Sequence, residues 1–225
     1  MKVRPMLFSA PMVRALLDGS KTQTRRVVKP QPAMNGKWME WRNGKGVLIT
    51  EQNTAWTPFD KGFRSAIDQN PHFCPYGQPG DRLWVRENGW ERPERTPKMM
   101  REGADTWEPY YFDADGLTDQ DSEDFKAWGF KRRPSIHMPR TASRITLEIT
   151  GVRVERLQEI SEADARAEGA RECDPVSGRE VLLAGPSQRG SFVLHYRDIW
   201  EKINGEGSWE ANPWVWVVEF KKVTS

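Results

Sequence analysis

The sequence predicts an α+β fold, a small curved sheet or barrel with helices packed against it, and three observations carry that expectation. Ile145-Thr146-Leu147-Glu148-Ile149-Thr150 alternates apolar and polar residues strictly, the pattern of a half-buried strand. Trp214 to Phe220 is almost continuously apolar and reads as a second, more deeply buried strand. The segments follow in the order β-α-loop-β-loop-β-β-α-α-β, with neither βαβ regularity nor an internal repeat, which excludes a doubly wound sheet.

Each element has its local reason. Met6 to Phe8 reads as a short strand entering the first helix. Ser9 is its expected N-cap and Pro11 lies in the first turn. Met12, Val13, Leu16 and Leu17 share a face, and Gly19 supplies the left-handed stop. Pro79-Gly80-Asp81 predicts a turn into a strand at Leu83-Trp84-Val85, which ends at Arg86-Glu87. Gly151 is a candidate bulge after the alternating strand, with Val152 and Val154 continuing it. Ser161, with Asp164 three residues on and Gly169 beyond, frames a short helix. Phe192, Tyr196, Ile199 and Ile203 line one face of a last helix, from near Ser191 to Gly205. The stretches 29–79 and 88–140 read as irregular insertions in one domain spanning 1–225, and 18 glycines and 16 prolines fit that reading.

Two cysteines, Cys74 and Cys173, are too few and too far apart in sequence for a disulfide framework, so a reducing cytoplasm is expected. The longest apolar run, Trp214 to Val218, is far too short to span a bilayer, and no membrane partner is expected. Net charge is only +2 but unevenly placed. Residues 1–29 and 131–144 are basic, while residues 102–124 hold acids and no base. Basic segments converging in space would attract a nucleotide or nucleic acid; the plainer reading is that the acidic stretch neutralises them.

Several motifs fail on their chemistry. Asp113-Ala114-Asp115-Gly116 fits a calcium loop only with Tyr111 first and Ser122 twelfth, where carboxylates are needed. His72 and Cys74 lack a second close ligand pair, which argues against zinc. Walker, GxGxxG and GxSxG sequences are absent, so no cofactor is expected. The 11 tryptophans suit either base stacking or packing; for Trp214 and Trp216, packing is the expectation.

The residues that carry chemistry follow the first helix: Gly19-Ser20-Lys21-Thr22-Gln23-Thr24-Arg25-Arg26. A threonine becomes a nucleophile when a neighbouring base takes its proton, and a lysine is that base when burial or nearby cations lower its pKa. Arg25 and Arg26 lie beside this pair. The alternative is a helix C-terminus decorated with cations that satisfy its dipole.

The pattern Gly19-x-Lys21-Thr22-x-Thr24-x-Arg26, with Gly80-Asp81-x-Leu83-x-Val85, Ile145 to Gly169 and Val215 to Phe220, resembles the ASCH domains of the PUA-like β-barrel superfamily. The long Pro/Gly/Trp-rich insertions resemble ASCH proteins of bacteriophages and prophages. The resemblance implies amide hydrolysis on an acylated nucleoside such as N4-acetylcytidine. It implies Lys21 and Thr24 as catalytic residues, Glu168 as their carboxylate partner and Arg26 as a substrate contact. Glu162 or Glu172 would take the carboxylate role under a small shift in alignment. Arg25 stands where the acetylcytidine enzyme has an apolar residue and makes the loop more basic. Trp84, Arg86 and Glu87 are the candidates for gripping the base. The superfamily also implies a second class of function, binding of RNA or a modified base without chemistry. A ribonuclease is a third reading. The expected partners are accordingly a nucleoside or RNA.

Overall fold

The computed structural model describes residues 1–29, 31, 74–92, 101, 108–171 and 191–223, together with the backbone of four strands between 36 and 65. Its architecture is α+β. The main sheet is built from β1 (Val3–Leu7), β2 (Gln23–Val27), β7 (Arg82–Arg86), β11 (Thr146–Arg156) and β12 (Trp214–Lys222). Their spatial order is β1-β7-β11-β12-β2; β1 and β7 run parallel and the other pairs are antiparallel. Strand pairing does not join β1 to β2, so the sheet is not a closed barrel. Across that gap, Arg26 Nη2 donates to Leu7 O at 2.6 Å, a side-chain link between the two edge strands.

The near-continuous apolar sequence of β12 follows from its position between β11 and β2. Trp214, Trp216, Val218 and Phe220 enter one core with Met6, Phe8, Leu83 and Val152. Val215 and Val217 enter another with Leu157, Tyr196 and Trp200. A strand covered on both faces has no position left for a polar residue, and each buried valine contributes about 1.5–3 kcal/mol. Trp214 and Trp216 are therefore packing residues. The strand β11 is half-covered and keeps its alternation, with a register shift between Ile149 and Gly151 where a bulge is expected.

Helix α1 (Ala10–Leu17) begins after Ser9, whose side chain makes no capping bond. Helix α3 (Glu162–Ala167) does receive its cap: Asp164 N donates to Ser161 Oγ at 3.0 Å. Helix α4 (Phe192–Asn204) buries Tyr196 and Trp200. Ile203, expected on the buried face, is 52% exposed, while Trp200 is buried.

The two stretches expected to be irregular contain regular structure. The first holds the hairpins β3 (Gly36–Arg42)/β4 (Lys45–Thr50) and β5 (Trp56–Phe59)/β6 (Gly62–Ser65). Asn43-Gly44, between β3 and β4, is a strong short-range hairpin signal that the scattered tryptophans and glycines obscure. The second holds the sheet β10-β8-β9, from Gly89–Glu91 (β8), Tyr110–Phe112 (β9) and Lys131–Arg133 (β10). It also holds α2 (Asp119–Ala127), with a reciprocal capping box between Thr118 and Asp121. Trp90, Phe125, Phe130 and Tyr111 form an aromatic core for this layer. The acid-rich stretch is thus in part a capped helix that buries one side chain, Phe125. Among the described residues no helix is long and apolar enough to cross a membrane.

Candidate functional site

Lys21 leaves the turn after α1 and forms an isolated antiparallel bridge with Glu168, the residue that caps the C-terminus of α3. Backbone bonds fix the juxtaposition. Lys21 N donates to Ala15 O at 2.9 Å and Thr22 N to Ala167 O at 2.8 Å. Gly169 makes the approach possible. It sits at φ +84°, and a Cβ there would lie 3.0 Å from Ala15 Cβ and 3.4 Å from Lys21 Cβ.

The two side chains then meet inside the protein. Lys21 Nζ donates to Glu168 Oε2 at 2.8 Å and to Glu168 O at 2.7 Å. Their side chains are 0% and 2% exposed. Burial pushes the Lys21 ammonium below its ordinary lysine value, opposed by the Glu168 carboxylate and assisted by Arg26 and Arg25. The Phe8 ring lies 6.0 Å from Nζ. Glu162 does not share this role: its carboxylate accepts from Ser191 Oγ and Phe192 N, both at 2.7 Å, and so holds the start of α4. Glu172 lies outside the described residues.

Beside the pair is a cleft of about 50 Å³. Thr24, Arg25, Arg26 and Glu168 line one side of it, Met12 comes from α1, and Tyr196, Ile199 and Ile203 come from α4. The cleft lies along β2, whose outer edge has no strand partner among the described residues. Five of the residues read from the sequence thus assemble: Glu168 and Thr24 share a cleft, Lys21 backs Glu168, and Arg25 and Arg26 flank them. Among the described residues Lys21 Nζ donates to Glu168 alone, and no hydrogen bond joins it to Thr24. Arg26 has no carboxylate partner among the described residues, and its Nε, like that of Arg25, is buried without an acceptor.

Tyr196 is a polar cleft residue that the sequence places on the apolar face of the last helix. Burial pushes its phenol well above the ordinary tyrosine value, with Glu168 adding to the rise and Arg25 and Arg26 opposing it. Its position on the apolar face of a helix gave no sign of this environment.

Trp84, Arg86 and Glu87 do not line the cleft. Trp84 is buried, with the Arg86 guanidinium 4.9 Å and the Arg140 guanidinium 5.7 Å from its ring. Arg86 donates to Met138 O through Nε and Nη2, each at 3.2 Å. Glu87 is buried against Arg144, which bonds both carboxylate oxygens at 3.0 Å. Burial pushes the Glu87 carboxyl above its ordinary value, against the pull of Arg144. Residues placed at a strand end by the sequence are instead covered by the segment 134–144, which packs across it.

The same contacts account for much of the uneven charge. Arg132 pairs with Asp113, Arg144 with Glu87 and Asp115, and Arg133 with Glu91. In the N-terminal segment Arg4 pairs with Asp81, Lys21 with Glu168, and Arg25 with three carboxylates. Half of the cations in the two basic segments are therefore paired inside the molecule, and Asp113 and Asp115 serve as ion-pair partners. Cys74 is a half-buried thiol whose pKa burial pushes up to about 11, which disfavours the thiolate a metal would need. Among the described residues no group of three His, Cys, Asp or Glu side chains could hold a metal ion; His72 and Cys173 lie outside them.

Comparison of the chain with protein-family models, with curated proteins and with solved structures finds no match.

Proposed function

We propose that the protein is an amidohydrolase of the ASCH, PUA-like kind, acting in the cytoplasm on an N-acylated nucleoside or base such as N4-acetylcytidine. One observation carries the reading: a fully buried lysine–glutamate pair backs a cleft that also holds a threonine and two arginines. Burying such a pair costs several kcal/mol per ion in desolvation, and packing alone would be served by apolar residues.

The pair is suited to prepare an acid and a base together. Transfer of one proton from Lys21 Nζ to Glu168 Oε2, along their 2.8 Å bond, leaves a neutral amine and a carboxylic acid. Lys21 then takes the Thr24 hydroxyl proton as Thr24 Oγ1 attacks the acyl carbon. Thr24 and Lys21 come within hydrogen-bond reach in the substrate complex, where such bonds tighten. Glu168 gives its proton to the departing exocyclic nitrogen as the C–N bond breaks. An acyl-threonine, a lysine ammonium and a carboxylate remain. Water attacks the ester, giving its proton to Glu168, while Thr24 recovers a proton from Lys21. The acid product leaves and the neutral pair is restored. Arg26, with no carboxylate partner among the described residues, supplies donors for the oxyanion.

The cleft volume, about 50 Å³, has room for about three to five water-sized groups at about 10–15 Å³ each. That suits an acyl group and its carbonyl, with the base at the mouth near the exposed Ile203 and Asn204. Binding of RNA without chemistry is the second reading; Arg4, Arg132 and Arg144, among its expected phosphate contacts, are engaged in ion pairs. Incubation with N4-acetylcytidine, followed by chromatography of cytidine, tests the proposal. Wild type should release cytidine, while Lys21→Ala and Thr24→Ala, with fold checked by circular dichroism, should not. Full turnover in both variants refutes the mechanism. Shortened RNA that depends on Lys21 would make the protein a nuclease instead.

A further inference from the structure

Arg25 is hard to account for as packing. It lies on an edge strand with its side chain 0% exposed, where Val27, two residues on, packs against the apolar cluster on the α4 side. Its guanidinium is shared by three carboxylates. Nη2 lies 2.9 Å from Glu155 Oε2 and 3.4 Å from Asp164 Oδ2, and Nη1 lies 3.4 Å from Glu168 Oε1. The two oxygens of Glu168 are thereby divided, Oε2 toward Lys21 and Oε1 toward Arg25.

The other two carboxylates are anchored from behind. Arg153 on β11 donates to Asp164 Oδ1 at 3.0 Å and also bonds Glu155 and Glu219. A continuous line of ion pairs thus runs from Glu219 on β12, through Arg153 and then Glu155 and Asp164, to Arg25 and Glu168. Three cations, Lys21, Arg25 and Arg153, face four carboxylates in it.

We propose that Arg25 is a positioning residue for Glu168, and that Glu155 sets how strongly Arg25 acts on it. The geometry stands without the hydrolase reading; the consequence for turnover rests on that reading. Arg25 fixes the carboxylate so that one oxygen is presented to Lys21. A guanidinium drawn toward Glu155 and Asp164 exerts less pull on Glu168 than a free one would. Glu168 can therefore be held in place and still accept a proton. The other charged and titratable groups facing this region are Arg26 on β2 and Tyr196 on α4, and both remain unchanged in the substitutions below.

The two partners should move Glu168 in opposite directions. Arg25→Met removes a cation, so protonation of Glu168 should shift to higher pH. Glu155→Gln frees the guanidinium from a competing carboxylate, so protonation of Glu168 should shift to lower pH. Loss of packing alone does not produce opposite shifts. The full chain, labelled with carbon-13 at glutamate carboxyls and assigned with Glu168→Gln, is titrated by NMR; the acidic limb of the pH–rate profile on N4-acetylcytidine is followed in parallel. Opposite displacements support the proposal. Shifts in one direction only, or a Glu168 resonance unmoved in folded Glu155→Gln, overturn it. Glu155→Gln keeps the test decisive if Arg25→Met does not fold. Opposite NMR shifts in a protein that releases no cytidine would retain the positioning role and remove the hydrolase reading.

Discussion

Lys21→Met is the perturbation whose size follows most directly from the geometry. At 2.8 Å and an effective dielectric of about 20, the attraction between the Lys21 and Glu168 charges is about 6 kcal/mol. Desolvation of the two ions consumes most of it, since each costs several kcal/mol to bury. The intact pair therefore contributes little net stability, while either partner left alone is expensive. Lys21→Met leaves a buried carboxylate with Arg25 3.4 Å away, which places its cost at the low end of the usual range, about 3 kcal/mol. Glu168→Gln leaves a buried ammonium with neutral acceptors only, the residue 168 carbonyl and the new amide oxygen, and should cost about 3–5 kcal/mol. The double variant should fall at least ~2 kcal/mol short of the sum, because neither ion remains to be orphaned. Urea unfolding at neutral pH, followed by tryptophan fluorescence and far-ultraviolet circular dichroism, measures all three. Additivity within about 0.5 kcal/mol would refute the reasoning, since it would mean that the two charges do not sense each other.

Two further outcomes follow from the frame around the site. Burial pushes the Asp81 carboxyl up, but donation from Lys2 N at 2.7 Å, Arg4 and Gln78 N outweighs it and holds the carboxyl below its ordinary value. Its stabilisation is therefore present above the unfolded value of 3.8 and is lost as pH falls through the lower folded value. Asp81→Asn should cost about 1.5–3 kcal/mol at neutral pH, and the gap to wild type in unfolding experiments should close below that window. Gly169→Ala places a side chain at φ +84° and against Ala15 and Lys21. It should cost about 1–2 kcal/mol from the backbone alone and reduce turnover as well as stability, read by the same unfolding and cytidine-release assays.

The parts of the fold legible in the sequence were those with a local cause. The strict alternation of 145–150, the caps at Ser161 and Ser191, and the apolar run of β12 each arise from residues near in sequence. The hairpins within 36–65 and the capped helix 119–127 are hidden by their Gly-, Pro- and acid-rich surroundings; their local signals are short, Asn43-Gly44 in one case and Thr118-x-x-Asp121 in the other. The meeting of Lys21 with Glu168 depends on a bridge across 147 residues, so no periodicity announces it; only the resemblance to the ASCH domains implies it. Trp84, Arg86 and Glu87 lie away from the cleft for a related reason. A strand end looks exposed in one dimension, while here Met138 and Arg144 close over it. The environment of Tyr196 was invisible because a tyrosine on an apolar helical face reads as packing until the groups opposite it are known.

The sheet order also governs when the site can exist. Strand β2, which carries Thr24, Arg25 and Arg26, has one strand neighbour in the main sheet, and that neighbour is β12 at residues 214–222. Strand β2 thus waits for β12 before it joins the sheet and its side of the cleft is fixed, and Lys21 waits for α3 before its charge has a partner. Closing contacts across so much chain is slow, and the cations at 21–26 remain hydrated until it happens. A chain ended before Trp214 would leave β2 unpaired and Lys21 without its fixed approach to Glu168. Site formation then reports completion of the fold, and a fragment would have none of the cleft rather than a weakened version of it.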